Sequence, residues 1–164
     1  MMSTLTESLH NNALFRPDYA PCAGDPEAAG QIFPLTSAKY LPRVLVVDEE
    51  RLVRWSLCET LTNAGYQVVD AQNGPEAREA IADEDHPIDV MLVDLKLPDG
   101  EGLLLVREAR RRCLTCPVVV MTAYASEDTV DAALGAGADH VILKPFDLDD
   151  LLRLVRQLCP AAAH

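Results

Sequence analysis

Along the chain from Arg43 to Leu158, short apolar runs alternate with stretches whose apolar positions recur every three or four residues, and the alternation comes round five times. Compact apolar runs bounded by turn formers read as strands buried on both faces, and the stretches of helical period between them read as helices covering those faces. The strands fall at 44–47, 67–71, 88–93, 117–121 and 140–143, the third interrupted only by Asp89. The first helix places Val53, Leu57 and Leu61 on one face and stops at Gly65; the second follows Asn73-Gly74-Pro75 and carries Ala77, Ala80 and Ile81. The third follows Gly102 with Leu103, Val106 and Ala109 inward, and its arginines Arg107, Arg110, Arg111 and Arg112 read as solvated. The fourth opens on Ser126 as N-cap and runs to Gly135. The fifth carries the stripe Leu148, Leu151, Leu152, Val155 and Leu158. Strand and helix alternating in this way predict an α/β fold, a doubly wound parallel sheet of five strands flanked by five helices.

The alternation is absent from residues 1–42, which hold Pro17, Pro21, Pro26, Pro34 and Pro42 without a sustained period. They are expected to form a poorly ordered extension, with the domain at 43–158 and a tail at 159–164. The extension has neither the basic start and apolar stretch of a secretory signal nor the arginines of a transit peptide. Hydrophobic residues make up 49% of the 164, yet no apolar run approaches the roughly 20 residues that a membrane helix needs. A soluble cytoplasmic protein is expected. The net charge of -12 weighs against direct binding of nucleic acid or of an anionic membrane, and most of it sits in the domain, since residues 1–42 hold only four acids and two bases. Five cysteines without a framework suit a reducing compartment; Cys113-Leu-Thr-Cys116 precedes a strand instead of opening a helix, so it lacks the setting of a redox thiol pair.

Candidate chemistry gathers at the carboxyl ends of the strands. Asp48 and Glu49 follow the first, Asp94 ends the third, Thr122 the fourth, and Lys144 follows the fifth. Taken singly, these are ordinary cap acids, a cap hydroxyl and a surface lysine. Right-handed crossovers put all carboxyl ends of a parallel sheet on one edge, so the groups can converge, and ligands of open α/β sheets bind at that edge. Crowded carboxylates raise one another's pKa unless a cation relieves them. All-oxygen ligation favours Mg²⁺ or Mn²⁺, and a metal, a lysine and a hydroxyl together suit phosphoryl transfer to a carboxylate.

These motifs resemble those of the receiver domains of response regulators in two-component signalling. The likeness lies in Val-Leu-Val-Val-Asp48-Glu49, Asp94-Leu-Lys-Leu-Pro98 followed by Gly102, Met-Thr122-Ala and Lys144-Pro145-Phe146. It implies a flavodoxin-like sheet of order 2-1-3-4-5, with Asp94 accepting phosphate from a sensor histidine kinase or a phosphotransfer protein. It further implies Mg²⁺ among Asp48, Glu49, Asp94 and the backbone carbonyl of Lys96, with Thr122 and Lys144 on the phosphoryl group and a cis peptide before Pro145. Such a chain assists its own phosphorylation and dephosphorylation, is not an enzyme with a separate substrate, and signals through an output protein or by self-association as a homodimer. Arg51-Leu-Val-Arg-Trp55-Ser-Leu57 is similar to the first helix of receivers in enhancer-binding regulators of the nitrogen-regulation type. Both a stand-alone receiver and one derived from a longer regulator are compatible with this likeness.

Two positions depart from the pattern. Glu49 stands where many receivers have Asp, and Val141 where receivers often have the aromatic ring that switches together with Thr122. Two other readings compete. A phosphatase of the haloacid dehalogenase type would carry a second Asp at position 96, which is Lys96. A degenerate receiver that serves only for docking would not need Asp94, Thr122 and Lys144.

Overall fold

The structure, a computed structural model, describes residues 13–15, 40–112, 115–124 and 126–161, the first three as backbone only. Its strands are β1 (Ala13–Phe15), β2 (Arg43–Val47), β3 (Gln67–Ala71), β4 (Val90–Asp94), β5 (Val118–Thr122) and β6 (His140–Leu143). The helices are α1 (Arg51–Asn63), α2 (Gly74–Ala82), α3 (Gly102–Arg112), α4 (Glu127–Ala136) and α5 (Leu148–Leu158). Five strands are parallel in the order β3-β2-β4-β5-β6, which is the 2-1-3-4-5 arrangement expected from the sequence.

A sixth strand lies outside that expectation. β1 pairs antiparallel with the outer edge of β6, Leu14 opposite Val141. Three residues within a proline-rich stretch are too few to show a period in sequence. Of the expected poorly ordered extension, most lies outside the described residues. Its last part is tied down, because Asp89 accepts the Tyr40 hydroxyl at 2.6 Å and the Arg43 amide at 2.7 Å.

Alternate residues of the five parallel strands feed two cores. Leu45, Val47, Met91, Val93, Val118 and Val120 face α2, α3 and α4 and meet Ala77, Leu105, Val106, Ala109 and Ala133. Val44, Val46, Val90, Leu92 and Met121 face α1 and α5 and meet Leu57, Leu61, Leu151, Val155 and Leu158. Burying each large aliphatic side chain contributes about 1.5–3 kcal/mol, so strands covered on both faces are the most stable part of the molecule.

Helix ends follow local chemistry with one correction. Ser126 Oγ accepts the Thr129 amide at 3.2 Å as the N-cap of α4, but the helix continues through Gly135. It ends before Gly137, whose φ of 112° suits glycine in the left-handed cap position. A second correction concerns α3. Arg110 is not solvated: its guanidinium donates to the carbonyls of Gly137 and Cys116 and pairs with Asp139, and Asp139 in turn accepts the Val118 amide at 2.8 Å. Cys116 is buried, and Cys113 lies outside the described residues.

Candidate functional site

Strand register brings the expected residues to one edge. Val47 lies opposite Val93, Asp94 opposite Met121 and Thr122 opposite Leu143, so the residues that end or follow β2, β4, β5 and β6 stand side by side. Backbone bonds carry the alignment one step past the strands: Leu95 N donates to Met121 O at 3.1 Å, and Lys144 N to Thr122 O at 2.8 Å. The Lys144–Pro145 peptide is cis.

Lys144 Nζ lies 2.7 Å from Asp48 Oδ2 and 2.7 Å from Asp94 Oδ2, and 3.3 Å from Glu50 Oε1. Asp48 is 0% exposed and Asp94 3%, so one ammonium serves two buried carboxylates. Burial pushes the Asp48 carboxyl up from its usual range, and the hydrogen bond and charge of Lys144 oppose that. For Lys144 itself burial acts downward, but its hydrogen bonds to Asp48 and Asp94 outweigh it and the ammonium is pushed up to about 12. The lysine therefore stays charged at neutral pH. Each carboxylate is further held by a backbone amide two residues on: Asp48 Oδ1 accepts from Glu50 N and Asp94 Oδ1 from Lys96 N, both at 2.8 Å. Arg54 of α1 donates to Asp48 O at 2.7 Å and braces that turn from behind.

The carboxylates that converge are Asp48, Glu50 and Asp94, with ligand oxygens all within 4.8 Å of one another. Glu49, expected from sequence in this set, is exposed and not in that group. The reason is local. The turn closed by Asp48 and the Glu50 amide brings Glu50 to the N-cap of α1, beside Lys144. Three hard oxygen donors suit a divalent cation of the Mg²⁺ type, so the residues present fit the metal that the sequence implied. Lys96 has an exposed side chain, and it meets Asp94 through its backbone amide.

Thr122 is buried, and its hydroxyl is engaged with its own loop: Oγ1 accepts the Tyr124 amide at 3.1 Å and donates to Tyr124 O at 3.2 Å. Val141 is 1% exposed and lies in the core on the α4 side, with Ala133, Ala136 and Ala138, so the position of the usual switch ring is filled by packed aliphatic groups. The ring nearest Thr122 in sequence is that of Tyr124, which is 72% exposed.

A model of the response regulator receiver domain family matches residues 44–156. The DNA-binding transcriptional regulator NtrC of Escherichia coli (strain K12) is 36% identical over 114 residues, which cover 70% of this chain and 24% of NtrC. The response regulator protein PilR of Pseudomonas aeruginosa is 43% identical over 113 residues, 69% of this chain and 25% of PilR. The chain thus spans about a quarter of the length of these two relatives. Among solved structures, a CheY-like response regulator receiver domain protein from Methanospirillum hungatei JF-1 superposes with a TM-score of 0.68 at 33% identity, covering 72% of this chain and 93% of that one. With sheet order, strand-end residues and family match in agreement, the chain belongs to the response regulator receiver domains.

Proposed function

We propose that this chain is a phosphoacceptor of two-component signalling in which Asp94 receives the phosphoryl group. The observation that carries this reading is the Asp48–Lys144–Asp94 bridge, a cation held by two buried carboxylates at the open edge of the sheet. A carboxylate oxygen of Asp94 forms the new P–O bond while the donor's P–N bond to histidine breaks, and the departing imidazole takes a proton from solvent. Lys144, freed from one carboxylate, then faces the phosphoryl oxygens, and Thr122 supplies a hydroxyl donor. Asp48, Glu50 and Asp94, or Glu49 after a turn of the loop, would hold Mg²⁺ or Mn²⁺ together with the Lys96 carbonyl. When bound, the cation neutralises charge on the group being transferred.

The acting unit in this proposal is residues 43–158, and its donor is a histidine kinase or phosphotransfer protein. Beside the site, Leu52 is 77% and Trp55 62% exposed on α1, and a groove between that helix and Phe146 opens next to Lys144. Exposed apolar side chains next to an acceptor offer a donor protein a place to dock. Among the described residues no helix is long and apolar enough to cross a membrane. Incubation with acetyl phosphate tests the reading. The intact mass should gain one phosphate with Mg²⁺ and none with chelator, and absence of labelling under both conditions would refute it.

A further inference from the structure

The loop that leaves Asp94 is fastened to a neighbouring helix. Asp99 Oδ2 accepts the amide of Gly74, the first residue of α2, at 2.7 Å, and Asp99 Oδ1 accepts the Glu101 amide at 3.2 Å. Glu101 pairs with Arg78 of α2, and Arg78 Nε reaches Glu108 of α3 at 3.0 Å. Glycine at 74 makes room for this: a Cβ there would stand 2.6 Å from Asp99 Oδ2 and 2.9 Å from Glu101 Oε2. The loop is equally tight at its two ends. Lys96 N is bound to Asp94 Oδ1, and a Cβ on Gly102 would stand 2.6 Å from Leu95 O.

The start of α2 is largely satisfied without Asp99. Asn73 Oδ1 accepts the Glu76 amide at 3.0 Å, Glu76 reaches back to the Gln72 amide at 2.9 Å, and Pro75 has no donor to satisfy. The remaining donor, Gly74 N–H, has Asp99 as its acceptor, and Gly74 is buried. What Asp99 adds is a fixed distance between α2 and the loop that carries Lys96.

We propose that Asp99 is a positioning residue for the divalent cation site. Through Gly74, and with the Glu101–Arg78 pair, it holds the Lys96 carbonyl at the place where that group would meet the cation. The proposal rests on the function assigned to the site above. Its consequence is that the geometry of the site is set partly by α2, a helix that contributes none of the carboxylates.

Mn²⁺ binding to the full chain, followed by the electron paramagnetic resonance signal of the free ion, tests this without reference to phosphorylation. Asp99→Ala should weaken Mn²⁺ binding on the order of 10-fold, the scale of lost supporting contacts around metal ligands. Asp99→Asn keeps the acceptor oxygen and should retain most of the affinity, while Gly74→Ala, which pushes both carboxylates away, should behave like Asp99→Ala. In metal-free buffer, amide exchange at Lys96 and Leu97 should be faster in Asp99→Ala than in the natural chain. Equal Mn²⁺ affinity in the natural chain and Asp99→Ala would overturn the positioning role alone. Failure of the natural chain to bind Mn²⁺ would overturn the assigned function and this inference together.

Discussion

Lys144 Nζ and Asp94 Oδ2 are 2.7 Å apart, and the same ammonium is equally close to Asp48 Oδ2. The lysine therefore holds together a carboxylate pair that would otherwise repel in a buried place. Replacing it with an apolar side chain of similar length isolates that contribution. Lys144→Met should cost about 3–5 kcal/mol of unfolding free energy in chelator, the range for leaving buried charge unpaired. Mg²⁺ should restore part of the loss, because it can stand between the same carboxylates. Denaturant unfolding with and without Mg²⁺ measures both effects, and equal stability of the two proteins in chelator would contradict the bridge.

The same pair predicts a pH window. Lys144 is pushed from 10.5 up to about 12 in the folded protein, so the stability it contributes is complete below pH 10.5 and is lost as pH rises toward 12. Linkage sets the size at about 2 kcal/mol. The stability difference between the natural protein and Lys144→Met should shrink by about that amount across the window, while the tyrosines common to both cancel. At the acid end the sign reverses for Asp48, which burial holds above its usual value. Its deprotonated form works against folding, so Lys144→Met should recover stability as pH falls below neutral. A difference that stays constant across both ranges would count against the coupling.

Thr122 should report activation through a single amide. Its hydroxyl now accepts the Tyr124 N–H at 3.1 Å, and a phosphoryl group on Asp94 offers that hydroxyl stronger acceptors. When the hydroxyl turns, Tyr124 N–H loses its partner, and its hydrogen exchange should quicken in the presence of a phosphoryl mimic. Val141 is packed in the core and has no ring to swing inward, so exchange along β6 should change little. Large changes in β6 with none at Tyr124 would show that the switch runs by another route.

Arg110 should matter for folding and not for chemistry. It bridges Gly137 O, Cys116 O and Asp139, and the Asp139 side chain is 5% exposed. Arg110→Ala leaves that carboxylate without its cation and should cost about 3 kcal/mol or more. Arg111→Ala, on an exposed position, should cost within about 0.5 kcal/mol. Thermal melts of the two variants, with phosphorylation measured well below either transition, check the separation.

The strands and the groups at their ends were legible because buried parallel strands have their own hydrophobic pattern and their carboxyl ends are forced to one edge. Asp48, Asp94 and Lys144 meet as that rule requires. What stayed hidden depends on the path of single turns and on contacts between distant segments. Glu49 and Glu50 are chemically identical neighbours, and only the turn from Asp48 Oδ1 to Glu50 N shows which one comes beside Lys144. Arg110 looks like its arginine neighbours until the position of Asp139 is known. Asp99 and Gly74 are 25 residues apart, with no periodicity linking them.

Where the phosphate goes decides whether Asp94 is the acceptor. After labelling with acetyl phosphate and Mg²⁺, borohydride reduction of the acyl phosphate followed by peptide mapping should find homoserine at position 94 alone. Asp94→Asn should take up no label, while Asp48→Asn, still carrying the acceptor, should be labelled more slowly. Label at another carboxylate in the natural protein, or undiminished uptake by Asp94→Asn, would show that Asp94 is not the sole acceptor.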